Sequence, residues 1–390
     1  MSQIVGVEDD TQQLLRKSVA DVAAQFGPEY YRQRSLEDGR AHELWSALAT
    51  SGFTGVNVPE ELGGGGAGLT ELAIVAEEVA AAGCPLLLLV VSPAICANII
   101  NAFGTPEQRA HFLPRFAGEV DPLFKMAFAI TESDAGSNSH RVATTARKDG
   151  AAWVLNGSKT YISGVDEAEH ILVVARTGTD EATGKGRLSL FIVDVDAEGL
   201  TRTPIPTEVV APEKQYALFF DDVRLPADRL VGEEGQGLQQ VFVGLNPERI
   251  MGAAMLNGIG RYVLDKAVAY AKERAVWGVP IGTHQGIAHP LAEAKIQLEC
   301  ARLMTTRAAN LYDAGEDAGE AANMAKFAAA EAALKCVDQA IQTHGGNGMA
   351  REYNIASMWG MARLLRIAPI SREMILNFVA QHSLGLPRSY

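Results

Sequence analysis

Met126-Ala127-Phe128-Ala129-Ile130-Thr131-Glu132-Ser133-Asp134-Ala135-Gly136-Ser137 marks the point where the chain changes its hydrophobic period. An apolar run leads into a polar, Gly-containing turn, the pattern of a strand and its exit loop. Upstream, from about Asp10 to Gly118, apolar residues recur at helical spacing. The pattern predicts helices near Asp10–Gln25, Leu36–Thr50, Leu69–Ala82, Leu86–Phe103 and Thr105–Phe116. The last opens on Thr105-Pro106-Glu107: a cap, a proline at the first helical position and an acid for the dipole.

Downstream, to about Val231, the period falls towards two. Strands are expected at Phe124–Ile130, Ala143–Arg147, Ala152–Leu155, Lys159–Ser163, His170–Arg176, Leu188–Val193 and Ala217–Val223. Asp149-Gly150, Asn156-Gly157 and Gly184-Lys185-Gly186 read as turns between them. From Gly235 the period is helical again, in long pieces near Pro247–Arg274, Ile287–Ala314, Ala321–Thr343 and Ala350–His382. Gly345-Gly346 supplies the residues of a left-handed cap for the third. The expected fold class is α+β. It comprises an N-terminal helical domain (1–122), a middle antiparallel β-barrel or sandwich (123–233) and a C-terminal four-helix bundle (234–390).

Composition narrows the function. The net charge of −13 argues against nucleic acid or an anionic membrane surface as partner, since each requires a basic face. An anionic ligand is still compatible, because a local Arg or a helix N-terminus can serve it. The first ten residues lack a basic and then apolar leader, and Pro85 to Ile100 is too short to span a bilayer. Cys84, Cys96, Cys300 and Cys336 lie far apart with no metal-ligand spacing. Buried, reduced thiols in a cytoplasmic protein, with no metal, are the expectation. The glycine run Gly63 to Gly66 lacks the Lys-Ser/Thr of a phosphate loop and reads as structural.

The order helical, β, helical bundle resembles the acyl-CoA dehydrogenase family over almost the whole chain. Met126 to Ser137 looks like the family's strand followed by T-E-x-x-A-G-S. Asn156-Gly157-Ser158-Lys159-Thr160-Tyr161-Ile162-Ser163 is similar to its N-G-x-K-x-W/Y-I-T/S strand. Arg274-Ala275-Val276-Trp277-Gly278, followed by Gln285, resembles R-x-x-F-G…Q, and Gln342-Thr343-His344-Gly345-Gly346-Asn347-Gly348 resembles Q-x-x-G-G-x-G.

The resemblance implies FAD, with Phe128, Ile130, Thr131, Tyr161 and Ile162 around the flavin ring and the Ser163 hydroxyl near N5. It implies close backbone approach at Gly136 and Ser137. Arg274 would meet the diphosphate from a neighbouring subunit, with Trp277, Gln285, Gln342, Gly345 and Gly346 close by. Arg suits a diphosphate because its planar fork makes two charge-assisted bonds at once. A homotetramer, an acyl-CoA substrate and an electron-transfer flavoprotein as electron acceptor are implied in the same way. On the residues alone, Phe128 and Ile130 are equally core residues of a strand, and Ser163 a strand-end hydroxyl.

Dehydrogenation at the α and β carbons needs a base for the α proton and a polarised thioester carbonyl. Many family members carry the base in Y-E-G-T before the last helix. The matching stretch here is Ile367-Ala368-Pro369-Ile370-Ser371, which puts Pro369 at the Glu position. A minority, isovaleryl-CoA dehydrogenase among them, carries it as E-R on the first bundle helix, which makes Glu248 of Asn246-Pro247-Glu248-Arg249 the candidate. The plain alternative is a helix start: Asn246 caps, Pro247 begins and Glu248 complements the dipole. Arg249, Asn246, Ser137 and Pro369 would then line the acyl-CoA, and Ser371 and Glu373 the cofactor, with Glu373 a reserve base. Pro369 also removes a backbone N–H that in the family helps hold the thioester oxygen. Two rival readings stay open. One is a flavin oxidase or monooxygenase on the same scaffold; the other is a non-catalytic acyl-CoA-binding subunit.

Overall fold

The computed structural model describes residues 8–37 and 39–388. Seven helices come first: α1 (Asp10–Ala23), α2 (Gly27–Leu36), α3 (His42–Thr50), α4 (Leu69–Ala81), α5 (Leu88–Val91), α6 (Asn98–Phe103) and α7 (Pro106–Phe116). Helix α2 is an addition to the expected helices, and Gly27-Pro28 does not break it. Pro28 instead occupies the first turn, where its missing N–H costs nothing. The single helix expected over Leu86–Phe103 is divided by a π-turn at Ser92–Ala97 around Pro93. A proline cannot donate to the ladder, so the hydrogen bonding widens there. The glycine run is a structural loop: a Cβ on Gly64 would sit 2.2 Å from the Val58 carbonyl oxygen.

The middle segment forms one eight-stranded sheet: β1 (Met126–Ala129), β2 (Thr145–Asp149), β3 (Ala152–Ser163), β4 (His170–Thr179), β5 (Gly186–Asp194), β6 (Leu200–Ile205), β7 (Gln215–Pro226) and β8 (Leu230–Val231). The order is β6-β7-β3-β2-β4-β5-β8, with β1 also on β4. The expected antiparallel arrangement needs a correction, because β1 runs parallel to β4 and β2 touches β4 in parallel. Strand β1 enters from the helical segment rather than from a hairpin, so nothing forces it antiparallel. Asn156-Gly157 is not a turn. Strand β3 runs through it with a bulge, and a Cβ on Gly157 would lie 2.6 Å from Thr144 Cα. Edge strand β6 was missed because it is largely exposed and so carries no alternating core face.

The last segment holds α8 (Gly237–Glu273), the short strands β9 (Ala275–Val276) and β10 (Val279–Pro280), and α9 (Gln285–Asp313), α10 (Gly319–His344), α11 (Ser357–Ile367) and α12 (Arg372–Phe378). Helix α8 starts at Gly237, not Pro247, so Asn246 caps nothing and Pro247 lies inside the helix. The Val243 carbonyl that Pro247 leaves without a donor accepts from the Tyr312 hydroxyl at 3.1 Å. The expected final helix over Ala350–His382 is broken between α11 and α12, at Ala368 to Ser371. Gly345 has the positive φ expected of a cap (+60°), but its ψ of −135° lies outside the left-handed well.

One apolar core joins α1–α5 to α8–α11, and the two sheet faces carry separate clusters. No helix among the described residues is long and apolar enough to cross a membrane. Cys84, Cys96 and Cys336 are buried, whereas Cys300, expected to be buried, is exposed on α9; all four are free thiols.

Where the N-terminal helices meet the sheet, two buried acids gather. Lys125 pairs with Glu167 at 2.8 Å, and Glu213 Oε1 accepts from Leu88 N at 3.2 Å while its Oε2 is sealed without a partner. Burial, with the Glu167 carboxylate beside it, pushes Glu213 from its ordinary 4.5 up to about 8. A raised carboxyl pKa means that folding favours the protonated form. Stability is full below 4.5 and is lost as pH climbs through about 8. Glu213→Gln is therefore expected to melt above wild type by a margin that widens between roughly pH 5 and 8 and then levels. Melting curves at several pH values check this, and a margin independent of pH would contradict it.

Candidate active site

Glu248 sits on α8 close to the π-turn, because Gly244, one turn earlier, lets the helix press against Ile95 and Ile99; a Cβ there would lie 2.9 Å from both. The π-turn is stapled to β1: the Met126 amide donates to Ser92 Oγ at 3.0 Å and the Cys96 thiol to the Ala127 carbonyl at 3.6 Å. The half-buried Glu248 carboxylate makes no hydrogen bond among the described residues. Burial pushes it up to about 7, opposed by Arg249 and by Lys326 of α10. The sequence reading placed this carboxylate at a helix N-terminus, where the dipole would lower its pKa. Position within the helix rather than at its start removes that effect, and desolvation prevails.

Arg249 donates to Asn246 Oδ1 at 2.7 Å, and its Nε is sealed without a partner. Lys326 donates to the carbonyls of Arg366 (3.2 Å) and Ile370 (2.5 Å), holding the turn that contains Pro369. On that turn Ser371 caps α12 through Met374 N at 3.3 Å. Glu373 points outward, its side chain 74% exposed.

The two β motifs are tied by a buried clamp. Lys159 Nζ donates to Glu132 Oε1 (2.9 Å) and the Ile130 carbonyl (3.0 Å), and Glu132 also accepts from the amides of Ala143 and Thr144. Thr160 N donates to the Thr131 carbonyl at 2.9 Å. The motif Glu and Lys therefore fix the positions of Thr131, Tyr161 and Ser163. Tyr161 is exposed at a bulge with φ +57°, and half-buried Ser163 donates to Gln215 Oε1 at 3.1 Å. Ile130 and Thr131 are half-buried and Gly136 and Ser137 exposed. Phe128 and Ile162, expected at the ring, are buried in the clusters on opposite faces of the sheet. Their positions in the strand pleat turn them inward.

Arg274, Trp277, Gln285, Gln342, Gly345 and Gly346 gather at the far end of the bundle, all exposed, Trp277 to 89%. The Tyr270 ring stacks on His344 with centroids 4.2 Å apart, and Asn347 Nδ2 donates to the hydroxyls of Tyr270 and Tyr353, both at 3.1 Å. These contacts hold the turn after α10 against the end of α8. The Arg274 side chain forms no ion pair among the described residues. Glu248 and Arg274 are 26 residues apart along α8, about 39 Å at 1.5 Å per residue. If Glu248 stands at the flavin ring, the ribityl chain between ring and diphosphate is too short to reach Arg274 of the same copy. Each cluster alone fits its part of the cofactor. The first offers an exposed aromatic and hydroxyls, the second an unpaired guanidinium, amides and glycine N–H groups.

Two features escaped the sequence reading. One is Lys326, the lone cation in the alanine-rich stretch Ala321 to Ala330. The other is a cleft of about 580 Å³ at the start of α8, lined by His140, Lys185, Arg187, Gln236 and Phe242.

Models of the acyl-CoA dehydrogenase N-terminal, middle and C-terminal domains match residues 9–119, 127–223 and 235–384. An acyl-CoA dehydrogenase, FadE12, of Mycobacterium tuberculosis strain ATCC 25618 / H37Rv is 57% identical over 386 residues, covering 98% of each chain. The structure of butyryl-CoA dehydrogenase from Megasphaera elsdenii superposes with a TM-score of 0.90 at 29% identity, covering 98% of this chain and 100% of that one. The FAD complex of PigA does so with 0.90 at 25% identity and the same coverage.

Proposed function

This chain belongs to the acyl-CoA dehydrogenase family, oxidoreductases that act on acyl-CoA with FAD, and from that premise we propose that Glu248 is the base that takes the α proton. The observation that supports this reading is the half-buried Glu248 carboxyl on α8, pushed up to about 7 by desolvation and making no hydrogen bond among the described residues. A general base works best when its pKa lies near the working pH. A carboxylate at about 7 is half ionised there yet basic enough to accept the proton, and an acyl chain packing against it would desolvate it further.

When bound, FAD supplies the acceptor for the β hydride, on the ring edge that Thr131, Tyr161 and Ser163 would hold. Arg274, Gln285, Gln342 and the N–H groups of Gly345 and Gly346 of a second copy would hold the diphosphate. This reading implies a homo-oligomer, a tetramer on the family pattern. The cleft at the start of α8 carries both signs, Lys185 and Arg187 against Asp180 and Glu234, so Arg249 and Ser137 are the residues assigned to the anionic acyl-CoA in this reading. Loss of the α proton to Glu248 together with the β hydride leaves a trans-2 double bond. The proposed electron acceptor is an electron-transfer flavoprotein. Pro369 offers no N–H to the thioester oxygen, and losing such a donor typically costs roughly 2.7–4 kcal/mol.

Anaerobic titration of the holoprotein with a panel of acyl-CoAs tests the proposal. Bleaching of the flavin with one acyl group and formation of its enoyl-CoA are expected. A flavin that stays oxidised despite measurable binding would point to an acyl-CoA-binding subunit. Rapid peroxide release in air would point to an oxidase.

A further inference from the structure

We propose that Lys326 is a positioning residue of this site: its buried ammonium fixes the Arg366 to Ile370 turn against α8 and holds Glu248 in the ionised, proton-accepting state. The inference rests on the reading of Glu248 as the base.

Lys326 is 1% exposed in an alanine-rich helix, where methionine would fill the same space without burying a charge. Taking an ammonium out of water costs several kcal/mol unless something compensates. Its hydrogen-bond partners are two neutral carbonyls, those of Arg366 and Ile370. The first belongs to the last turn of α11, where the helix dipole favours a cation. Those bonds bracket Pro369, so the ammonium sets how the turn stands relative to α8. Its charge is left to act at longer range.

The charged and titratable groups facing this pair come from every neighbouring element. Helix α8 contributes Glu248 and Arg249, α11 contributes Arg366, α12 contributes Glu373, and the π-turn contributes Cys96. Arg366 is itself engaged by Glu331, at 2.7 Å, and Arg372 by the same carboxylate at 3.0 Å. Of the two carboxylates acting on Lys326, Glu248 has the larger effect and Glu373 faces solvent. Burial draws the ammonium down to about 8, which leaves it mostly charged at neutral pH. With Glu248 and Lys326 on facing helices in a medium of low polarity, removing the cation must make the carboxylate harder to ionise.

The test compares wild type, Lys326→Gln and Glu248→Gln holoproteins. Glutamine keeps N–H donors for the turn and drops the charge. The ionisation of Glu248 is read by infrared difference against Glu248→Gln, and the rate of flavin reduction by acyl-CoA is followed across the same pH range. In Lys326→Gln both midpoints should rise by about one pH unit or more. Lys326→Met, of similar length and wholly apolar, is the second variant if the glutamine disrupts folding, and its midpoints should move the same way. A wild-type midpoint in the variant that folds overturns the role of Lys326. Undiminished reduction by Glu248→Gln overturns the reading of the base instead, so the two failures are distinct.

Discussion

Glu248→Gln should bind FAD and acyl-CoA as wild type does and yet reduce its flavin more slowly, by a factor on the order of 10² to 10⁴, the usual contribution of a general base. The amide matches the carboxylate in shape, so the packing of α8 is preserved. The carboxylate accepts no hydrogen bond among the described residues, so the substitution strands no donor there. Burial of an ionisable group is also relieved, and the variant should melt no lower than wild type at neutral pH. A rate that falls only together with stability or FAD content would indicate a structural role. Rapid mixing under anaerobic conditions with a reactive acyl-CoA, together with melting curves, separates the two.

Arg274→Glu is expected to lose FAD. The guanidinium is exposed, makes no ion pair among the described residues and stands about 39 Å along α8 from Glu248. Reversing its charge should leave the fold of the chain unchanged and weaken FAD binding on the order of 10²- to 10³-fold, the usual cost of losing one partner of a desolvated charge pair. The same distance makes a sharper prediction. If one copy supplies Glu248 and another Arg274, mixed oligomers of Glu248→Gln and Arg274→Glu contain some sites with both wild-type residues. Co-expression of the two inactive variants should therefore restore part of the activity. Titration of FAD into the purified proteins and assay of the mixture check both statements. No recovery on mixing would place the two residues in sites that do not meet.

Much of the fold was legible in the hydrophobic period. The shift at Met126 separates helix from strand, and the shift at Gly235 separates strand from helix. Local chemistry was less reliable where tertiary contacts overrode it. Pro247 looked like a helix start because the sequence does not display Tyr312, whose hydroxyl satisfies the carbonyl that Pro247 leaves free. Asn156-Gly157 looked like a turn because a bulge uses the same residues; the glycine is there for the close passage of Thr144. The break at Pro369 lay inside a stretch read as one helix.

The candidate site divides along the same line. Glu248 came from the resemblance, since its position alone suggested a dipole partner, and only packing shows that burial governs its proton affinity. Thr131, Tyr161 and Ser163 were found by motif, and the Glu132–Lys159 clamp explains why the two motifs occur together. Phe128 and Ile162 were placed at the ring by the resemblance, and the structure adds that both are buried, on opposite faces of the sheet. Lys326 went unremarked because a single lysine in an alanine-rich helix reads as solvated until its neighbours are known.

The most direct test is the pH dependence of flavin reduction in the wild-type holoprotein, followed anaerobically after mixing with a reactive acyl-CoA. A base at about 7 must be ionised to act, so the rate should rise with pH through that region and then level, while Glu248→Gln stays low throughout. A wild-type rate that is flat across neutral pH, or a Glu248→Gln rate that follows the wild-type curve, would contradict the account.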